Sequence, residues 1–504
     1  MAENKDSVCL IIAPSVFLLD ERVFMSLGIL KVAAVLEAQG FEVQMVDLSG
    51  VENYEDAVRA HAAFSSAKHF GITATTPQMP AAGKIALAIK SVRQDAKIIL
   101  GGPHVTLMSV ARKKELKRGI CGRATSAMRT LEENFDILVA GDGEEAIFVA
   151  LQENAPKLVD ADDTESSLFL DNHRLNLLPY PARHLVDVDS YHYFIDGERA
   201  LSLIAQLGCP YGCRFCGGRF SPSLRRVRMR STENIINEMR LMRANYGTKR
   251  FMLYDDELNV NKEMVRLMRA IRAEQENWKE EWRLRGFIKS QLFTEEQAKA
   301  MYDAGFREIL VGFESGSPRI LMNINKCATV EENTRCIEIA HKQNLRAKAL
   351  MSIGHPGESA ETVMQTYDWL LKVKPDDFDT TIISAYGGTD YYDDAVSDPT
   401  RDGIWVYTCP KTGDRLFEIE VDYTKVAEYY KGNPDGGYKS YVFTDYLSAD
   451  QLVELRDFVE RDVREKLGIP FNLSAAAIRF EHSMGQAGPN LPPHILRTSS
   501  PSTS

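Results

Sequence analysis

Two stretches of this chain repeat one alternation, a short continuous apolar run followed by a segment of helical period. The first begins at Val8-Cys9-Leu10-Ile11-Ile12-Ala13, a run expected of a strand covered on both faces. Helical spacing follows over residues 28–39, with Gly40 placed as a stop. Further strands are predicted at 42–47, 70–75, 97–100 and 136–140, and helices at 53–67, 80–94 and 143–152. Strict alternation of this kind predicts a doubly wound parallel sheet, whose ligands sit beyond the carboxyl ends of the strands.

The alternation resumes at Ala200. Strands are predicted at 200–206, 249–254, 282–288, 307–313, 346–353 and 378–384, and helices at 232–246, 261–273, 294–304, 330–343 and 359–372. Thr294-Glu295-Glu296-Gln297 is a capping box, and Gly305 suits the end of that helix. Six such units are too few for a full eight-unit barrel. Residues 155–199, polar and carrying Pro179 and Pro181, read as a connector. Beyond Tyr386 the chain is rich in tyrosine (Tyr391, Tyr392, Tyr423, Tyr429, Tyr430, Tyr438, Tyr441, Tyr446). There Ser448-Ala449-Asp450-Gln451 caps an amphipathic helix to about Leu467. The Pro/Ser-rich tail from Gly485 is expected to be disordered. The expected class is α/β, divided as 1–154, a linker 155–199, 200–386, a C-terminal cap 387–484 that completes a substrate site, and a tail 485–504.

A length of 504 residues requires more than one core, and 44% apolar with 26% charged residues is ordinary globular composition. The net charge of −11 argues against general nucleic-acid binding. No apolar run approaches membrane-spanning length, and Met1-Ala2-Glu3-Asn4-Lys5-Asp6 lacks a signal-peptide pattern. The basic stretch Arg112-Lys113-Lys114-Glu115-Leu116-Lys117-Arg118, with Arg123 and Arg129, reads as a solvated helix and loop. Eight cysteines in so long a chain do not make a disulfide framework, and a reducing, cytoplasmic setting is expected.

Three of those cysteines, Cys209, Cys213 and Cys216, fall within Gly208-Cys209-Pro210-Tyr211-Gly212-Cys213-Arg214-Phe215-Cys216, spaced C-x3-C-x2-C after a buried-strand pattern. A structural zinc would want a fourth Cys or His nearby; between Tyr193 and Arg335 the only other candidate is Cys327, far downstream of the loop. Iron–sulfur cubanes usually take four protein ligands, so a three-cysteine loop leaves one iron open. With the aromatic residue before the last cysteine, the motif resembles the radical S-adenosylmethionine (SAM) enzymes. The resemblance implies a 4Fe–4S cluster on the three cysteines, SAM on the open iron, and a partial barrel for residues 200–386.

Strand ends in the first segment carry Thr73-Ala74-Thr75-Thr76-Pro77-Gln78, Gly101-Gly102-Pro103-His104-Val105-Thr106 and Gly141-Asp142-Gly143-Glu144. Glycine pairs there let a large ligand approach the backbone. Ahead of a radical SAM motif, this order resembles the cobalamin-binding domain of cobalamin-dependent radical SAM enzymes. The resemblance implies contacts at Thr75, Thr76, Gly101, Gly102, His104, Gly141 and Glu144. An Asp-x-His-x-x-Gly motif is absent from the loop 14–22, so no histidine there ligates cobalt. That omission is usual in the radical SAM subgroup and equally suits a domain that has lost cobalamin. His104 reads as a packed or hydrogen-bonded histidine rather than a ligand.

Within the same resemblance Phe215 touches adenine, and Asp256 or Glu257 grips the methionyl amino group; the acids could alternatively serve a helix start. Glu314 and Ser315 suit ribose or amino-acid contacts, and Ser352 and Gly354 lie in an adenine-contacting segment. Glu314 is hard to explain as core, since its strand neighbours are apolar. The arginines after the cluster loop (Arg219, Arg225, Arg226, Arg228, Arg230) suit an anion or solvent equally. The family implies C-methylation of an unactivated carbon of a small-molecule or natural-product substrate, with a flavodoxin or ferredoxin as reductant. The alternatives are radical rearrangement, oxidation or cyclisation without methyl transfer, and a non-catalytic iron–sulfur protein.

Overall fold

The computed structural model describes residues 6–16, 21–426 and 438–470. Three sheets organise it. The first is six-stranded and parallel, in the order β2-β1-β3-β4-β5-β6, with β1 Ser7–Ile12, β2 Glu42–Asp47, β3 His69–Thr73, β4 Lys97–Gly101, β5 Ile137–Ala140 and β6 Leu158–Asp160. β1 lies between β2 and β3, and Val8 to Ile12 are all buried, which is why that run carries no polar alternation. Helices α1 Leu27–Ala38, α2 Tyr54–Phe64, α3 Met79–Val92, α4 Pro103–Lys117, α5 Arg123–Asn134 and α6 Gly143–Ala150 cover its faces.

Two expectations are corrected here. The stretch read as a linker begins with β6, whose Leu158 and Val159 pair in parallel with Leu138 and Val139. Three residues, Leu158-Val159-Asp160, only two of them apolar, are too short a run to show as a strand in the sequence. The basic stretch is two helices whose charges are mostly engaged rather than solvated. Arg112 pairs with Glu132 at 2.6 Å, Lys113 with Asp160 at 2.6 Å and Lys114 with Asp394 at 3.0 Å. The carboxylates come from other elements, which periodicity along one segment cannot reveal.

The second sheet runs in sequence order with all strands parallel: β7 Leu201–Leu203, β8 Arg250–Leu253, β9 Arg283–Ile288, β10 Glu308–Glu314, β11 Arg346–Ile353 and β12 Asp377–Ile382. Its helices are α7 Thr232–Tyr246, α8 Met264–Trp278, α9 Glu295–Asp303, α10 Val330–Lys342 and α11 Ala360–Val373. The expected Thr294 capping box forms with Gln297, and Thr329 and Ser359 make two more. With Ser231 before α7, side-chain oxygens thus cap four of these five helices.

The third sheet is antiparallel, formed by β13 Val396–Ser397, β14 Ile404–Thr408, β15 Arg415–Ile419 and β16 Val442–Thr444. The final helix, α12 Ala449–Leu467, packs back on β12 and α11. Tyr429 and Tyr430, part of the expected cap, the tail from Gly485, the N-terminal residues 1–5 and loop positions 17–20 lie outside the described residues. Among the described residues no helix is long and apolar enough to cross a membrane.

Candidate functional site

The carboxyl ends of the first two sheets open on one cavity of about 790 Å³. Its first wall comes from Thr75 and Thr76 after β3, Gly101 and Gly102 at the end of β4, and Gly141 and Glu144 after β5. Apolar side chains of Leu10, Ile12, Ile72 and Val139 form its floor. The opposite wall comes from the second sheet: Gln206, Gly208, Tyr254 and Asp256, with Arg228 and Arg230.

Backbone must approach closely at two of these glycines. A Cβ on Gly102, at φ +101°, would lie 2.9 Å from the backbone of Ala74, and one on Gly141, at φ +87°, 2.5 Å from the Asp162 nitrogen. Only glycine fits either turn. His104 does not line the cavity. It is buried, with Nδ1 3.1 Å from the Thr76 hydroxyl, and burial lowers its pKa to about 4, so the ring is neutral. Glu144 is a buried acid whose pKa burial raises, with Lys31 opposing that shift from 4.0 Å.

The cysteine loop follows directly. Gly208 precedes Cys209 at φ +83°, with room for no side chain against the Arg226 carbonyl. Asp255, fully buried, accepts the backbone N–H groups of Ala205 (2.9 Å) and Gln206, tying the end of β8 to the start of the loop. Its pKa is pushed up to about 7 by burial. Cys213 is buried, Cys209 half-buried and Cys216 exposed. Desolvation raises the Cys209 thiol to about 11, so loading iron there must displace a proton. A Cβ on Gly217, next to Cys216, would lie 3.0 Å from the side chains of Leu107 and Tyr386, which line the cavity, as does Gly208. The cysteine loop therefore touches the cavity's rim.

Glu314 and the segment 352–358 form a second cluster beside the loop, while Asp256 also lines the cavity. Glu314 stands at φ +68°, at a register shift between Gly312 and Glu314 in the pairing of β10 with β11. Its carboxylate accepts from Lys326 Nζ at 3.0 Å and the Ser352 hydroxyl at 2.8 Å. Burial alone would raise its pKa, but Lys326 and Ser352 outweigh it and hold the acid ionised. Phe215 lies 5.4 Å from the ring of His355, and Gly354, at φ +89°, donates its N–H to Glu358. Asp256 and Glu257 both have pKa values raised by burial, and Lys326 and Lys289 oppose that rise at Glu257. Ser315 is buried, its hydroxyl 3.1 Å from that of Thr366. The arginines divide: Arg228 bonds Asp142 of the first wall (Nη2 to Oδ1, 3.1 Å), while Arg219 pairs with Asp390 at 2.8 Å.

Residues 203–370 match the model of the radical SAM superfamily, and residues 21–132 match that of the B12 binding domain. The chain carries a radical SAM domain and, ahead of it, a B12-binding domain. It is 28% identical over 333 residues to an uncharacterized methyltransferase of Pyrococcus horikoshii, covering 65% of this chain and 69% of that protein. It is 23% identical over 373 residues to the anaerobic magnesium-protoporphyrin IX monomethyl ester cyclase of Rubrivivax gelatinosus, covering 68% and 61%. Among solved structures it resembles the radical SAM methyltransferase TsrM of Kitasatospora setae, bound to cobalamin and a 4Fe–4S cluster, at TM-score 0.62 and 17% identity over 93% of this chain and 92% of that one. The cobalamin-dependent radical SAM enzyme OxsB matches at TM-score 0.59 and 16% identity, over 75% and 53%. These structural likenesses show a shared fold.

Two parts of the radical SAM domain's site were not legible in the sequence. The first is a strap at residues 324–327 that pins the cysteine loop. The Ile324 carbonyl accepts from Arg214 N at 2.9 Å, and Asn325 Nδ2 donates to the Gly212 carbonyl at 3.0 Å. Asn325 and Cys327 both have positive φ, and Lys326 between them reaches inward to Glu314. The second is Lys289, buried after β9, which donates to the Lys326 carbonyl at 3.1 Å and stands 4.2 Å over the ring of Tyr211. Both lysines sit in polar stretches whose destination only the fold reveals.

Proposed function

We propose that this chain binds a 4Fe–4S cluster, SAM and cobalamin, and methylates an unactivated carbon of a small-molecule substrate. One observation carries the reading: the strand-end loops of the B12-binding and radical SAM domains wall a single cavity, and Gly208, at the start of the three-cysteine loop, lines it. A large, mostly apolar space with glycine-lined turns suits a bulky planar ligand, and three soft thiols on one loop suit iron. In the same fold the solved structure of TsrM holds cobalamin and a 4Fe–4S cluster, and that of OxsB holds aqua-cobalamin.

Cys209, Cys213 and Cys216 would hold the cluster, and Gly102, Gly141 and Thr75 would let a corrin ring lie against the first wall. When bound, the cluster would supply the electron that cleaves SAM, and cobalamin the methyl group. The chain's own contribution is placement. Glu314, kept anionic by Lys326, offers a carboxylate to a cationic amine; Phe215 offers an aromatic face to adenine; Asp256 faces the shared cavity. Closing both cofactors between two sheets excludes water from a reactive radical. A flavodoxin-like or ferredoxin-like reductant and a reducing cytoplasm complete the proposal.

The test is anaerobic. Reconstituted protein given cobalamin, a reductant and methyl-labelled SAM is expected to release 5′-deoxyadenosine and to load label onto the corrinoid. Absence of both overturns the reading. The cyclase relative favours a second reading, radical oxidation or cyclisation without methyl transfer. That reading predicts 5′-deoxyadenosine with no label on cobalamin.

A further inference from the structure

A continuous hydrogen-bonded chain leads from the region after β12 to Glu314. Tyr391 lies in a short helix, Asp390–Asp393, and is buried. Its hydroxyl is 3.1 Å from His355 Nδ1; His355 Nε2 is 2.8 Å from the Ser352 hydroxyl; Ser352 donates to Glu314 Oε2 at 2.8 Å. His355 is fully buried and Ser352 is 5% exposed.

The direction of every link follows from counting protons. An ionised carboxylate only accepts, so the single Ser352 hydroxyl hydrogen goes to Glu314. Ser352 must then accept from His355, which places that ring's proton on Nε2. Nδ1 is left as an acceptor, and the Tyr391 O–H supplies it. Reversing any link would strand a lone pair against a lone pair in a buried site, so the chain runs one way. The same helical turn holds the cysteine loop, because Asp390 takes Arg214 (3.0 Å) and Arg219 (2.8 Å) on its carboxylate. One turn of the C-terminal region thus fixes both the loop and the acid across from it.

We propose that Tyr391 and His355 are positioning residues which, through Ser352, hold Glu314 as an oriented carboxylate for the cationic amine of the bound ligand. The ligand is SAM in the reading above, on which this inference rests.

The experiment has two parts. In full-length protein labelled with ¹⁵N-histidine, the His355 resonance, identified by its loss in His355→Gln, is expected to show only the Nε2–H neutral tautomer. In Ser352→Ala, where Nε2 loses its acceptor and the Tyr391 hydroxyl can donate to or accept from Nδ1, both tautomers should appear. A wild-type ring carrying its proton on Nδ1, or a ring unchanged by Ser352→Ala, overturns the chain. In the second part, SAM affinity of the cluster-loaded protein is measured by equilibrium titration. Tyr391→Phe and Ser352→Ala should each weaken binding about fivefold, the cost of one hydrogen bond. The double variant should be no weaker than Ser352→Ala alone, because both cut one chain. Multiplying effects of about 25-fold would overturn the inference. Wild-type protein that binds no SAM defeats the function proposed above, while the tautomer measurement still decides the chain.

Discussion

Arg123 Nη1 of the B12-binding domain lies 2.7 Å from Glu418 Oε2 of the third sheet, and both side chains are buried. The guanidinium stacks 3.6 Å over the Tyr392 ring and 4.3 Å over that of Trp405, so the pair is boxed away from water. Removing one partner of a buried pair leaves an uncompensated charge. Arg123→Ala should therefore cost about 3 kcal/mol in urea unfolding. Replacing both partners, Arg123→Met with Glu418→Met, should recover most of that loss; a double variant as weak as the single would refute the electrostatic account.

The cysteine loop makes a chemical prediction. Converting Cys209, Cys213 and Cys216 together to alanine should abolish the iron-dependent visible absorbance of anaerobically reconstituted protein and leave less than one iron per chain. The fold should survive, since only Cys213 of the three is buried and alanine there removes a single sulfur atom. Circular dichroism of the variant should overlay the wild type.

Gly102 and Gly83 should respond in opposite ways to alanine. At Gly102 a Cβ meets Ala74 backbone at 2.9 Å and the φ of +101° disfavours any side chain. Gly102→Ala should lose about 1–3 kcal/mol and bind cobalamin at least about tenfold more weakly. Gly83 lies within α3 with nothing within 4 Å of its Cβ position, so Gly83→Ala should gain roughly 0.5–1 kcal/mol and leave cobalamin affinity unchanged.

Glu358 sets a pH dependence. It is fully buried, accepting from Gly354 N at 3.2 Å and the Thr362 hydroxyl at 2.6 Å, and burial raises its pKa to about 7. An unfolded glutamate ionises near 4.5. Between those values the folded chain holds a proton the unfolded chain has released, so this group's contribution falls as pH rises from about 4.5 to 7. Its full extent is about 3 kcal/mol. In Glu358→Gln the stability–pH curve should be flatter across that window by a comparable amount. Parallel curves would show that Glu358 ionises normally.

How much of this was legible in the sequence depended on whether the signal was local. Val8–Ala13, the Thr294 capping box and the glycine pairs at 101–102 each declare themselves within a few residues, and the strands and helices they mark are where the spacing put them. β6 was missed because a three-residue strand at a sheet edge has no period to read. Arg123 was misread as solvated because its partner lies 295 positions away, at Glu418. The strap at 324–327 and Lys289 were invisible for the same reason: a buried lysine looks like a surface lysine until the carboxylate or carbonyl that satisfies it is brought alongside.

The cavity between the first two sheets has a mechanical consequence. Each sheet contributes half a wall, so an occupant loses half of its grip whenever either half swings away. Binding energy is then spent only in the closed arrangement, and a tightly held guest acts as a rivet that raises the melting temperature of both halves together. Emptied of that guest, the two halves are still joined by one buried apolar cluster that runs from Leu30 and Val139 to Leu203 and Ile236, and by salt links such as Arg228 to Asp142.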